Sequence, residues 1–127
     1  MNSTDDEALE RLRESEEMYA RVFHQNPNPM TLTSLVSQRF VAANEAFLRL
    51  VGYTRSEVLG RTSEELNLWG ERTTREKITR ELFNEGESGP HRGDCRNKAG
   101  ELIPCRVHFR IIETAIERYV LSSFIPD

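Results

Sequence analysis

Two cysteines, Cys95 and Cys105, are the thiols that this chain offers for metal binding, disulfide formation or nucleophilic chemistry. A structural zinc site draws four ligands from closely spaced Cys and His pairs. Neither cysteine belongs to a closely spaced Cys pair. Two cysteines in 127 residues also fall short of a disulfide framework. The spacing therefore predicts two reduced, half-buried thiols rather than a metal site.

The histidines and one pair of acids could take part in acid–base chemistry. His24 falls near the end of a predicted N-terminal helix, His91 at the start of a strand and His108 on a polar strand face, so all three are expected to be solvated. Glu64 and Glu65 fall in a turn that is expected to be exposed, whereas a catalytic acid pair needs an apolar setting. The sequence also lacks a Gly-rich phosphate loop and a Ser/His/Asp motif. This chain is therefore not expected to be an enzyme.

Length and charge restrict the class of protein further. A chain of 127 residues forms one domain, large enough for one core and one pocket. No apolar run approaches the roughly 20 residues of a transmembrane helix, and the polar first 20 residues are not a secretory signal, so the cytoplasm is the expected location. Residues 1–17 carry a net charge of −5, and the rest carries 15 basic and 14 acidic side chains. That body lacks the basic surface of a nucleic-acid-binding protein.

Residues 4–25 are predicted to form an amphipathic helix. Thr4 and Glu7 have the spacing of a capping box, and acidic residues crowd the first turn, where the helix dipole favours them. The helix is expected either to mediate dimerisation or to pack on its own domain. The apolar residues expected at a dimer interface are Leu9, Leu12, Tyr19, Val22 and Phe23.

The centre of the chain, residues 40–60, combines short elements with capping residues. A short strand is followed by Asn44, which is expected to cap a helix, and Gly52 ends that helix where a left-handed conformation is needed. Thr54 and Glu57 have the spacing of a capping box and begin a second short helix. The local signals agree with one another, as they do in sequences that specify one structure.

A longer helix is predicted from Thr73 to Gly86. Thr73 and Glu76 have the spacing of a capping box, and Gly86 ends the helix. Its inward apolar stripe is predicted to consist of Ile78, Leu82 and Phe83.

Alternating apolar and polar residues predict the strands. Residues 30–33 alternate in the manner of a half-buried strand, and residues 40–43 form its hairpin partner. Residues 90–113 are predicted to form a long hairpin whose turn, residues 97–100, ends in glycine. A last strand follows from residue 117, and its inward face is ambiguous because both faces carry apolar residues.

This order of elements resembles the PAS domain family, the small sensory modules of bacterial signalling proteins. The resemblance extends over residues 15–127 and implies an α+β fold with a five-stranded antiparallel sheet and helices on one face. The predicted organisation is an N-terminal helix, residues 1–25, followed by a PAS core, residues 26–127. The residues that carry the resemblance are Asn44, Phe47, Gly52, Tyr53, Leu59 and Gly60.

The resemblance also implies a ligand pocket between the sheet and the long helix. Each residue expected in that pocket is explained equally well as part of the core. The residues are Phe40, Leu66, Trp69, Ile78, Leu82, Phe83, Val107 and Phe109.

Known cofactors of the family can be compared with the sequence. Light-oxygen-voltage photochemistry needs a cysteine in an Asn-Cys-Arg motif, but residues 62–64 read Thr-Ser-Glu. Haem-binding members place a histidine on the long helix, and residues 73–86 contain none. Both cofactors are therefore disfavoured. Noncovalent flavin stays open, because Trp69 and Asn44 resemble groups that some flavin-binding members use.

The resemblance predicts a homodimeric sensory domain of a multidomain signal-transduction protein. Such a domain is expected to sense a small ligand or to relay signals through dimerisation, and a histidine kinase or diguanylate cyclase output domain is expected after Asp127. A ligand-free dimerisation or docking module is the main alternative, and a flavin redox sensor is a third.

Overall fold

The computed structural model describes residues 3–70 and 75–126, and within these ranges five antiparallel strands form one sheet. The order across the sheet is β2-β1-β5-β4-β3. The strands are β1 Met30–Ser34, β2 Phe40–Ala43, β3 Glu87–Arg96, β4 Leu102–Glu113 and β5 Arg118–Pro126. The helices are α1 Ser3–Tyr19, which continues as a π-helical segment Ala20–His24, α2 Glu45–Val51, α3 Arg55–Val58 and α4 Arg75–Glu85. The predicted α+β fold is confirmed.

The two short helices begin at the predicted caps. Asn44 has an extended backbone, and its Oδ1 accepts a hydrogen bond from the Phe47 N–H at 2.9 Å. Gly52 has φ 78°, so the left-handed end of α2 is confirmed. Thr54 and Glu57 form the reciprocal capping box of α3.

The core lies on one face of the sheet, beneath α2, α3 and α4. In β4 the buried side chains are Cys105, Val107 and Phe109, and this confirms the predicted alternation. In β5, whose inward face was ambiguous, Val120 and Phe124 point to the same core.

Strand β1 turns its polar face toward the core, although its sequence pattern suggests that the apolar face is buried. Thr31 is 1% exposed, whereas the apolar Met30 and Leu32 are half-buried. The cause is register: Thr31 lies opposite Ser122, and the residues two positions either side of Ser122 are the inward apolar residues of β5. Because side chains alternate strictly across a strand, the neighbouring strand decides which set of β1 faces inward.

The helix boundaries differ in two places from the prediction. Thr4 lies inside α1, so it is not the N-cap, and the regular α-helix ends at Tyr19 rather than near residue 25. Helix α4 is described from Arg75, and the predicted capping residue Thr73 lies outside the described residues. None of the described helices is long and apolar enough to span a membrane.

Candidate functional site

A cavity of about 180 Å³ lies between the inward face of the sheet and α4. The sheet contributes buried side chains that include Thr31, Phe40 and Ser122. The opposite wall includes Ile78 and Leu82 of α4. More exposed residues that line the same cavity mark its mouth: Gln38, Arg75, Thr79 and Phe83.

The structure brings most of the sequence-predicted pocket residues to this cavity. Val107 and Leu66 do not line it: Val107 is 4% exposed within the core, and Leu66 packs against that core from outside. The contact of these residues with a ligand stays a prediction. The predicted residues that line the cavity are Phe40, Trp69, Ile78, Leu82, Phe83 and Phe109.

Phe83 departs from its predicted place on the inward stripe of α4. Its side chain is 66% exposed, whereas Leu82 is 8% exposed. Ile78 and Leu82 are four residues apart and share one helix face, and the next residue is rotated by about 100° from that face. Phe83 therefore lies at the rim of the cavity.

Trp69 is placed on the cavity wall by the end of β3. A bridge pairs it with Cys95, and the neighbouring Gly70 N–H donates to the Asp94 carbonyl at 2.9 Å. A Cβ at Gly70 would lie 2.7 Å from the Asp94 Cβ, so this close approach needs glycine. The indole is stacked on Phe124, with ring centroids 5.6 Å apart.

Sequence reasoning missed the hydroxyl groups of the cavity. Thr31 of β1 and Ser122 of β5 lie directly opposite each other, are 1% and 5% exposed, and both line the cavity. The clear alternation of β4 was the available signal, because it fixes the inward face of its neighbour β5.

Helix α4 is attached to the rest of the domain at both ends. Near its start, Arg75 forms an ion pair with Glu64. Near its end, the buried Ser88 hydroxyl of β3 donates to Glu81 Oε2 at 2.8 Å, and this hydrogen bond is the main reason that the pKa of Glu81 is lowered. His91 Nε2 lies 2.7 Å from the same hydroxyl.

This serine, histidine and glutamate cluster is not a catalytic triad. Ser88 Oγ and Glu81 Oε2 both approach the same nitrogen of His91, at 2.7 Å and 3.4 Å, whereas a triad uses the two imidazole nitrogens separately. Ser88 is also 1% exposed, so a substrate could not reach it. The cluster serves instead to fasten α4 to β3.

The three histidines are partly exposed rather than fully solvated. The His91 side chain is 25% exposed and paired as described above, and the His108 side chain is 28% exposed with its Nε2 3.1 Å from Glu87. His24 packs edge-on against Phe23, with ring centroids 5.1 Å apart. Glu64 and Glu65 are exposed in a turn, as predicted.

The two cysteines are free and more deeply buried than predicted. Cys95 is 0% exposed and Cys105 is 1% exposed. A hydrogen bond with the Cys105 side chain, together with burial, raises the pKa of the Cys95 thiol well above its usual range. Neither residue lines the cavity. No cluster of His, Cys, Asp and Glu suited to a metal ion occurs among the described residues.

Asn44 joins the N-terminal segment to the core. Besides capping α2, its Oδ1 accepts from the Met30 N–H at 2.9 Å. Its Nδ2 donates to the carbonyls of Phe23 at 3.0 Å and Asn28 at 2.8 Å. The side chain is 0% exposed. Asn44 therefore fixes the end of the N-terminal helix against β1 and α2.

The predicted dimer residues separate into two groups. Phe23 is 5% exposed and stacks on Tyr19 within its own chain, with ring centroids 5.3 Å apart. The others have exposed fractions between 40% and 62%: Leu9, Leu12, Tyr19 and Val22.

Flavin, a cofactor that the fold suggests, does not fit the cavity. A volume of about 180 Å³ lies below the roughly 300–1,000 Å³ of pockets for drug-sized ligands, whereas an isoalloxazine has three fused rings. Residues 62–64 correspond to the Asn-Cys-Arg motif of light-oxygen-voltage photochemistry. From this segment Ser63, which carries a hydroxyl and not a thiol, lines the cavity.

The comparisons with known proteins agree on one fold. A family model described as PAS domain matches residues 27–125. The structure is similar to the PAS domain of an HTR-like protein from Haloarcula marismortui, with a TM-score of 0.73 and 21% identity, covering 96% of this chain and 99% of that chain. A PAS domain from a two-component sensor histidine kinase gives a TM-score of 0.74 at 13% identity, covering 91% of this chain and 99% of that chain. A light-oxygen-voltage protein from Rhodobacter sphaeroides gives a TM-score of 0.72 at 22% identity, covering 90% of this chain and 67% of that chain. No curated relative matches the sequence.

Proposed function

This chain belongs to the PAS domain family, and we propose that it senses a small ligand bound between the sheet and α4. The observation that carries this proposal is the cavity of about 180 Å³, whose wall includes the buried polar side chains of Thr31 and Ser122. Protein cores are ordinarily close-packed, so a cavity that carries hydroxyl groups on its wall is suited to a bound molecule. A bound molecule would form hydrogen bonds with these hydroxyls.

Ligand binding would change the position of α4. The helix is held by the Arg75–Glu64 ion pair at one end and by the Glu81–Ser88 hydrogen bond at the other. Ile78, between these attachments, lines the cavity. Occupation of the cavity would therefore shift the population of α4 positions.

Packed aromatic rings offer a second route from the cavity to the N-terminal helix. The cavity residues Phe40 and Phe124 both contact Phe47 of α2, with centroid distances of 6.1 Å and 5.3 Å. Asn44 caps this helix and holds the carbonyl of Phe23. A change in the cavity would thus reach the end of the N-terminal helix through direct contacts.

In the whole protein the domain would regulate an output domain. We expect a histidine kinase or a diguanylate cyclase, a cytoplasmic location, and a homodimer that signals through its N-terminal helices. The domain itself would carry no catalytic activity.

A ligand-free dimerisation or docking module is the second candidate. The exposed apolar residues of α1 and of the π-helical segment that follows it favour this candidate, since Leu12 is 55% exposed and Val22 is 62% exposed. Both functions use the same helix, so the state of the cavity distinguishes them.

Native mass spectrometry of the purified domain, with an absorbance scan, tests the proposal. Extra mass on the folded chain would support a ligand sensor. The cavity-filling variant Val120→Phe should lose that mass, whereas Val41→Phe, at a position 46% exposed, should keep it. Bare chains that no added small molecule stabilises would favour the docking module. A yellow protein with flavin absorbance would contradict the volume argument.

A further inference from the structure

We propose that the cavity takes a single-ring ligand whose uncharged hydrogen-bonding group is recognised by the hydroxyls of Thr31 and Ser122. This inference rests on the proposed function and specifies the chemistry of its ligand.

The size of the cavity sets the size of the ligand. An engineered protein cavity of about 150 Å³ is known to take one benzene molecule. A cavity of about 180 Å³ therefore has room for one ring with a short substituent, or roughly six to nine non-hydrogen atoms. Aromatic side chains supply walls for such a ring, with Trp69, Phe109 and Phe124 all lining the cavity.

The two hydroxyls set the polar end of the ligand. Thr31 and Ser122 face each other across β1 and β5, and their Cβ atoms are therefore roughly 5 Å apart. Both residues are more than nine-tenths buried and both line the cavity, so their side chains are accessible to a bound ligand. Each hydroxyl can donate and accept, so the pair can serve one ligand hydroxyl, carbonyl or amide.

The charges around the cavity exclude an ionised group at that depth. Among the described residues that line the cavity, Arg75 is the only charged one. It lies at the mouth, with its side chain 47% exposed, and is already paired with Glu64. A carboxylate beside Thr31 and Ser122 would be buried without a counter-charge, which is strongly unfavourable. The recognised group is therefore neutral.

Isosteric probes test this chemistry on the purified chain. Benzyl alcohol and ethylbenzene have the same size and differ in one hydroxyl, and benzamide and benzoate differ in charge. Trp69, the single tryptophan of the sequence, lines the cavity, so its fluorescence reports binding. Benzyl alcohol should bind roughly 3- to 10-fold more tightly than ethylbenzene, as expected for one or two neutral hydrogen bonds. Benzamide should bind more tightly than benzoate.

Variants assign the preference to the two hydroxyls. Thr31→Val and Ser122→Ala should each reduce the preference for benzyl alcohol roughly 3-fold or more while ethylbenzene binding is kept. Thr31→Ser retains a hydroxyl and should retain the preference, which guards against loss of binding through misfolding. Ser123→Ala is the matched control, because Ser123 is the neighbour of Ser122 and does not line the cavity.

The outcomes separate this inference from the proposed function. Equal binding of benzyl alcohol and ethylbenzene, or tighter binding of benzoate, would overturn the ligand class while leaving a ligand-binding cavity. If no probe bound but the purified protein carried extra mass, the ligand class would again be wrong and the sensor function would stand. If no probe bound and no mass copurified, both proposals would fail.

Discussion

Asn44 makes more hydrogen bonds than a helix cap requires. The cap was predictable, because asparagine before an apolar helical face is a strong N-terminal signal. Its bonds to the carbonyls of Phe23 and Asn28 were not, because those partners lie 21 and 16 residues away and local spacing carries no information about them. One buried side chain thus combines a local role with a long-range one.

The two roles can be separated by substitution. Asn44→Ala should lower the free energy of unfolding by about 2–4 kcal/mol, from the lost cap and the buried backbone groups left without partners. Asn44→Asp keeps the oxygen that accepts from Phe47 but places a second oxygen against the Phe23 and Asn28 carbonyls. Hydrogen exchange in Asn44→Asp should therefore accelerate in the N-terminal segment while the Phe47 N–H stays protected.

Asn28→Ala is the matched control, because Asn44 bonds to the backbone carbonyl of Asn28 and not to its side chain. It should leave exchange in the N-terminal helix unchanged. Uniform acceleration across the whole domain in Asn44→Asp would contradict a separate tether and indicate simple loss of stability.

The hydroxyls of the cavity show a second limit of residue-level prediction. Met30 and Leu32 looked like the buried side of β1 from their sequence alternation, yet Thr31 is buried instead. Pairing with β5, whose inward face carries Val120 and Phe124, determines which side of β1 is buried. Alternation in a single strand defines two faces but does not say which one meets the core.

At the scale of elements, local caps were predicted well and contacts between elements were not. The capping box of α3 is present as its spacing predicted. The contact of its Glu57 with Lys98 in the β3–β4 turn, at 2.7 Å, joins residues 41 positions apart and left no local signal. The same turn also donates the Lys98 N–H to the Val51 carbonyl, so it is fastened to both short helices.

This contact predicts a specific pH dependence of stability. The hydrogen bond from Lys98, followed by those from Thr54, lowers the pKa of Glu57 from 4.5 to about 2. A carboxyl group with a lowered folded-state pKa contributes stability that is fully present above its unfolded pKa and is lost as the pH falls. The contribution of Glu57 should therefore disappear between about pH 4.5 and pH 2.

Urea denaturation between pH 2 and pH 6 measures this dependence. Lys98→Met removes the largest cause of the shift and should make the stability profile flatter in that window than the wild-type profile. Arg80→Met removes an equal charge from the exposed surface of α4 and should leave the slope unchanged. An unchanged slope in Lys98→Met would show that the contact does not persist in solution.

At the scale of the whole molecule, α1 lies largely on the surface of the described structure. Its described residues from Thr4 to Met18 are exposed, and Leu12 at 55% and Val22 at 62% add apolar surface beyond the core. Helices in water draw most of their stability from packing an apolar face. The buried Phe23 and the Asn44 bonds hold the end of the N-terminal helix against the domain. The sequence showed the apolar residues but could not show that Phe23 belongs to the domain's own packing.

A second copy of the chain would cover this surface, and that expectation can be measured. Sedimentation velocity over a concentration series should show a dimer for the wild type. The double variant Leu12→Glu and Val22→Glu places charges in the proposed interface and should weaken dimerisation by roughly tenfold or more, because unpaired buried charges are costly. Leu102→Glu is the control, since Leu102 is 47% exposed in the β3–β4 hairpin, away from α1, and its substitution should not change the dimer.

Phe23→Ala should instead lower the midpoint of thermal unfolding, because it removes packing inside the chain. If the wild type stays monomeric at high concentration, or if the double variant dimerises like the wild type, the N-terminal helix is not the interface, and the signal would have to leave the domain through α4 or β5.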